Sequence, residues 1–186
     1  MRIFSAFAVI FILAFVGCDS DKTPSNKLIY FDLPAFVSKE IASYQSRGFG
    51  LRKNINKDDK ISTIELDTVQ WKEELAPYLA ININSNSLEN KYNISIDSNK
   101  NLSITKYTAL DTNLEISEIA VTKVNQNIQL IEAKTRKRSF VVDRDIHFSF
   151  MPGKGYGMLV NENYIWSSPK KYEIFAEINN KKEIFR

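Results

Sequence analysis

Cysteine and histidine are almost missing from this chain: 186 residues contain one of each, Cys18 and His147. A single cysteine excludes an internal disulfide and any metal site built on several thiolates. A single histidine excludes a two-histidine zinc site. A Ser-His-Asp enzyme would have to use His147, yet no Gly-x-Ser-x-Gly elbow is present. Charge of one sign is also missing. Lys and Arg number 25 against 22 Asp and Glu, a net of +3, too small a surplus to argue for a nucleic-acid partner. Glycine and proline are sparse, at six and five, so no collagen-like or linker composition applies. No period of 20–50 residues recurs, which excludes a solenoid or propeller. What remains, 44% hydrophobic and 25% charged, is the composition of one globular domain with a real core.

The one long apolar run is at the start. Arg2 is followed by residues 3–16, which carry no charge and have Ser5 as their only polar side chain. As a helix this run spans about 21 Å, short of the roughly 30 Å bilayer core, and so fits a signal-peptide core better than a permanent span. Phe15-Val16-Gly17-Cys18 follows. It resembles the lipobox of bacterial lipoproteins, with a small residue directly before the cysteine, although Phe15 stands where an aliphatic residue is usual. An ordinary secretory cut after Gly17 and an uncleaved anchor are the rival readings. The resemblance implies a signal peptide over 1–17, lipidation of Cys18 with three acyl chains, a lipidated tether over 18–27 and a single globular domain over 28–186. Two or more chains anchor stably where one does not.

The spacing beyond the tether predicts elements in order. Residues 28–31 are an apolar entry. Asp32 can cap a helix with Pro34 in its first turn, Val37, Ile41 and Tyr44 on one face and Gly48 as its stop. Residues 51–66 read as two short strands. Asn54, Asn56, Asp58 and Glu65 match EF-hand positions there, but Asp59 replaces the required glycine, so a solvated hairpin is expected instead of calcium binding. Asp67 and Gln70 resemble a capping box for a second helix, with Trp71, Leu75 and Tyr78 inward and Pro77 ending or kinking it. Adjacent Glu73 and Glu74 are assigned to its solvated face. From Ala80 the period turns to alternation, and short links between strands predict an antiparallel meander, with a bulge near Glu118 and a turn at Asn125-Gln126-Asn127. Residues 158–166 read as a hairpin around Asn161-Glu162-Asn163, and Ile184-Phe185 as a terminal edge strand. The fold class expected is α+β, mainly β: an antiparallel meander sheet or sandwich with two short N-terminal helices.

Four places carry candidate chemistry. Lys134, Arg136, Lys137 and Arg138 form the one basic cluster, expected at a hydrated hairpin tip; an anionic headgroup contact is the functional reading. Residues 139–151 place Phe140, Val142, Ile146, Phe148 and Phe150 on one strand face. Asp143, Asp145, His147 and Ser149 lie on the other. Two carboxylates and an imidazole in a row are weak metal or acid–base candidates, because metal sites converge ligands from several elements. Pro152-Gly153-Lys154-Gly155-Tyr156-Gly157 is neither a Walker loop nor a dinucleotide fingerprint. It is expected as a turn, with Lys154 and Tyr156 as ligand or partner contacts. Cys18 is the lipidation site.

The leader, Tyr30-Phe31-Asp32-Leu33-Pro34 and Trp71-Lys72-Glu73-Glu74-Leu75 together resemble uncharacterised envelope lipoproteins of Bacteroidota-type bacteria. The helix-plus-sheet plan is similar to lipoprotein-carrier half-barrels by fold analogy. The resemblance implies a membrane-anchored protein of the cell envelope, at the outer membrane, facing periplasm or cell surface. It is expected to be a non-catalytic binding or assembly component, with no cofactor and no nucleic-acid partner. Its partners are the membrane, through the anchor, and an envelope protein or lipid. A carrier for an apolar or lipid ligand, and a small carboxylate-based hydrolase, are the alternatives.

Overall fold

The computed structural model describes residues 28–58 and 60–179. Cys18, the leader and tether, and the proposed terminal strand at Ile184-Phe185 lie outside them.

Helix α1 runs over Leu33–Arg47 for the reasons its sequence suggests. The Asp32 carboxylate accepts from the Ala35 amide at 2.9 Å. Leu33, Val37, Ile41 and Tyr44 form the buried stripe, and Gly48 takes the left-handed conformation (φ 65°) that closes the last turn. Strands β1 (Gly50–Lys57) and β2 (Lys60–Leu66) form the expected hairpin. Three of the four EF-hand positions are therefore ladder positions, Asn54 pairing with Thr63, Asn56 with Ile61 and Glu65 with Arg52, and Asp58 stands in the turn with φ 51°.

The second helix differs from expectation. It starts at Trp71, after Gln70, with no side-chain cap, so the Asp67–Gln70 box does not form. It also divides in two. Helix α2 is Trp71–Glu74 and α3 is Ala76–Leu79, with Pro77 in the first turn of α3, where its missing N–H does no harm. Residues 80–91 alternate without making a strand. Ile81 and Ile83 are buried, but the segment holds only a short 3-10 turn at Asn86–Leu88. The Asn84 side chain takes the place of a ladder partner. It accepts from the Tyr30 amide at 2.9 Å and donates to the carbonyls of Tyr30 and Phe31 at 3.3 Å.

Seven strands follow: β3 (Tyr92–Ser98), β4 (Leu102–Ala109), β5 (Ile116–Val124), β6 (Asn127–Arg138), β7 (Val142–Met151), β8 (Gly155–Tyr164) and β9 (Lys170–Asn179). They build one antiparallel sheet in the order β2-β1-β9-β8-β7-β6-β5-β4-β3. From β3 to β9 it is a meander, with β1 beside β9; among the described residues it is one open sheet edged by β2 and β3, and not a sandwich. The register skips Ser117 between Ile116 and Glu118, which is the expected bulge. The expected hairpin at Asn161-Glu162-Asn163 is absent. β8 passes straight through those residues because β7 and β9 hold its backbone on both sides, and the turn falls after Tyr164.

The link from β2 to β3 carries α2, α3 and the 80–91 segment across one face of the sheet. Together with α1 these cover a transverse row made of Leu51, Ala176, Tyr156, Phe150, Ile131 and Val121, all buried. Phe36 of α1 meets Phe150 edge-on at 6.4 Å, and Tyr78 of α3 lies 5.3 Å from Phe148 and 5.6 Å from Tyr156. The core thus sits under one part of a longer sheet face. The remainder of that face projects beyond the helices.

Candidate functional site

The helical layer stops at α3, and there the sheet face opens into a groove. Pro77, Ala80 and Ile81 form one wall, and Ile116, Ile146 and Phe148 the floor; the volume is about 440 Å³. The wall stands where it does because Tyr78 is pinned. Its hydroxyl donates to the Gly157 carbonyl at 2.6 Å, and burial pushes its pKa above the ordinary tyrosine range. Tyr92 closes one end. Its hydroxyl donates to the Ile116 carbonyl at 2.8 Å, and burial, then the neighbouring Tyr30, pushes its pKa up to about 12. Asn82, Glu115 and Thr135 are the polar groups of the lining. Apolar surface with few polar groups, at this volume, is the chemistry of a site for an apolar ligand.

One step further along the same face lies a cross-strand row of charge. Lys137 pairs with Arg144, Arg144 with Glu162, and Glu162 with Lys170. Glu162 is only 6% exposed. The Tyr164 hydroxyl (2.7 Å) and the Arg144 Nε (2.6 Å) donate to it and hold its carboxyl below the usual range, against the effect of desolvation. Arg144 is the one charge on the apolar parity of its strand, a signal in the sequence that an acid stands beside it on a neighbouring strand.

The candidates read from the sequence are placed as follows. The basic cluster is not a hairpin tip. β6 continues through Arg138, so Arg136 and Arg138 point to the outer face and Lys137 to the groove face. On the outer face Arg138 lies 2.9 Å from Asp145 and 3.8 Å from Asp143, and Arg136 lies 3.4 Å from Asp145. The arginines and aspartates neutralise each other across β6 and β7. His147 Nε2 lies 3.4 Å from Glu132 without a hydrogen bond. A depression of about 290 Å³ on this face is lined by Lys134, Arg136, Asp145, His147 and Leu159. Among the described residues no three His, Cys, Asp or Glu side chains are grouped to hold a metal.

Lys154 is exposed on the β7–β8 turn, where Gly153 has φ 69°. Tyr156 is not a loop residue. It stands in β8, 3% exposed, with its hydroxyl on the Glu74 carboxylate. Glu74 is accordingly not on a solvated face: it turns inward and also meets Lys53 Nζ at 2.5 Å. Phe140 leaves the apolar face expected for it and stands at the β6–β7 turn, 80% exposed.

Among the described residues no helix is long and apolar enough to cross a membrane. No protein-family model matches the chain, and no curated protein or solved structure matches it.

Proposed function

We propose that this chain is a non-catalytic envelope lipoprotein, anchored through lipidated Cys18, whose domain holds an apolar chain such as a lipid acyl tail. The observation that carries this is the groove of about 440 Å³ between α3 and the sheet. Its floor is Ile116, Ile146 and Phe148, and cations of the Lys137–Lys170 row stand beyond it on the same face. An amphiphile with an acidic head fits that order of apolar floor and basic edge. The carrier reading is therefore preferred to assembly with a partner protein and to hydrolysis. The groove lining contains one carboxylate, Glu115, and no histidine or cysteine, so it offers no acid–base pair.

The test is binding of a fluorescent fatty-acyl probe, with mass spectrometry of lipid retained by protein taken from native membranes. Ile146→Trp fills the groove from its floor and is expected to weaken binding about tenfold, or about 1.4 kcal/mol, with Tm little changed. Equal binding by the variant, or no retained lipid and no probe binding, sinks the reading. The anchor is tested separately by the mass of the mature N-terminus, which is expected to begin at an acylated Cys18.

A further inference from the structure

We infer that the paired turns β6–β7 and β8–β9 form a tip that inserts into the headgroup region of an anionic lipid bilayer. The two turns emerge side by side at one end of the sheet. They present Phe140 (80% exposed), Trp166 (74%), Ile165 (57%) and Val141 (47%). By contrast Trp71, the other tryptophan of the chain, is 2% exposed. Such a cluster on a folded surface marks a contact site.

The tip is held in shape. The Ile165 amide donates to the Val141 carbonyl at 3.2 Å, tying one turn to the other. Ser139 Oγ accepts from the Val142 amide at 3.1 Å and donates to its carbonyl at 2.8 Å. Phe140 and Trp166 meet edge to face at 6.2 Å. The aromatic groups are thus preorganised to point outward together, which lowers the ordering cost of insertion.

Charge selects the occupant. Arg138, Arg144 and Lys171 are paired with Asp145, Glu162 and Glu173, while Lys137 and Lys170 stand behind the tip in no ion pair among the described residues. Lys137 stands three residues behind Phe140, about 10 Å along the chain. Aromatic side chains at the acyl–headgroup boundary with cations one layer back is the order that an anionic lipid surface accepts. Four side chains bury on the order of 500 Å², less than the roughly 800 Å² per side of a standard protein interface. That area suits shallow insertion better than docking of a protein or a second copy. This inference rests on the tip alone and holds whether or not the groove takes a ligand.

The test follows Trp166 in the full chain on vesicles of phosphatidylcholine with phosphatidylglycerol, using acyl chains brominated near the headgroup. Membrane association through the leader or anchor does not decide the outcome, because the readout is local. The expected result is a blue shift and quenching of the Trp166 emission, both missing in Trp166→Ala. The emission left in that variant is that of buried Trp71, which reports an intact fold. Lys137→Glu with Lys170→Glu is expected to reduce the quenching at least about threefold. Trp166 that stays open to aqueous iodide on membrane-bound protein overturns the inference. So does equal quenching in vesicles lacking phosphatidylglycerol. Shielding of Trp166 without vesicles that grows with protein concentration also overturns it, assigning the tip to a second copy.

Discussion

Glu74 links three elements: it sits on α2, meets Lys53 of β1 at 2.5 Å and accepts from Tyr156 of β8. Its removal strands a largely buried ammonium. Glu74→Ala is expected to lower stability by about 3 kcal/mol in urea unfolding, and Lys53→Met in the same chain to recover much of the loss. Glu162 gives a pH dependence. Its carboxyl is held below the usual range by Tyr164 and Arg144, so the stability it adds is present above the unfolded value of about 4.3 and is lost as pH falls through the folded value. Glu162→Gln is expected to flatten the acid limb of a Tm–pH curve. Tyr44, Tyr78 and Tyr156 act at the other end. Burial raises all three, with Glu40 or Glu74 adding to the effect, so they stay neutral in the folded chain while the unfolded chain ionises near pH 10. Stability is full below that pH and falls above it. Absorbance at 295 nm is expected to show these three ionising only as the chain unfolds. A Cβ on Gly155 would stand 2.1 Å from the Ala176 carbonyl oxygen, a backbone clash. Gly155→Ala is expected to destabilise by more than about 2 kcal/mol, and Gly153→Ala, with open space but φ 69°, by about 1 kcal/mol.

At the scale of elements, legibility followed the range of the forces. All the signals for α1 lie within 17 consecutive residues, from Asp32 to Gly48. They act through local capping and one buried stripe, and the sequence displayed them. The bulge at Ser117 was legible because a change of parity in apolar residues has a single cheap geometric remedy. β8 was not. Asn161-Glu162-Asn163 has turn chemistry, and only the ladders on both sides and the Arg144 partner make it strand. The basic run 136–138 was misread as a tip for the same reason: strand alternation and the facing aspartates belong to β7. The candidate groove was invisible, because its floor comes from β5, β6 and β7 and its wall from residues at and beyond Pro77, where the sequence reads an end or a kink. The sheet also predicts its own dynamics. Amide exchange is expected to be fastest in β2 and β3, each at an edge of the described sheet and with mostly exposed side chains, and slowest in β7 and β8. Uniform protection across the sheet would contradict this.

At the scale of the molecule, the helices cover only part of a nine-stranded face. The covered part is a core in the ordinary sense, with Tyr78 seated on Phe150 and Tyr156 and Trp71 against Tyr44. The uncovered part grades from apolar groove to charged row to aromatic tip along the same strands. If groove and tip are both occupied as proposed, the charged row through Arg144 and Glu162 stands between them along β7. Ile146 and Phe140 are six residues apart, roughly 20 Å of strand.

The pairing of β1 with β9 has a temporal meaning as well. Leu51 finds its inner neighbour only at Ile178, so the first hairpin has a free edge until the last described strand has been made. Contacts so distant in sequence form late and slowly. A newly made chain would therefore carry β1 unsealed while the meander from β3 onward assembles.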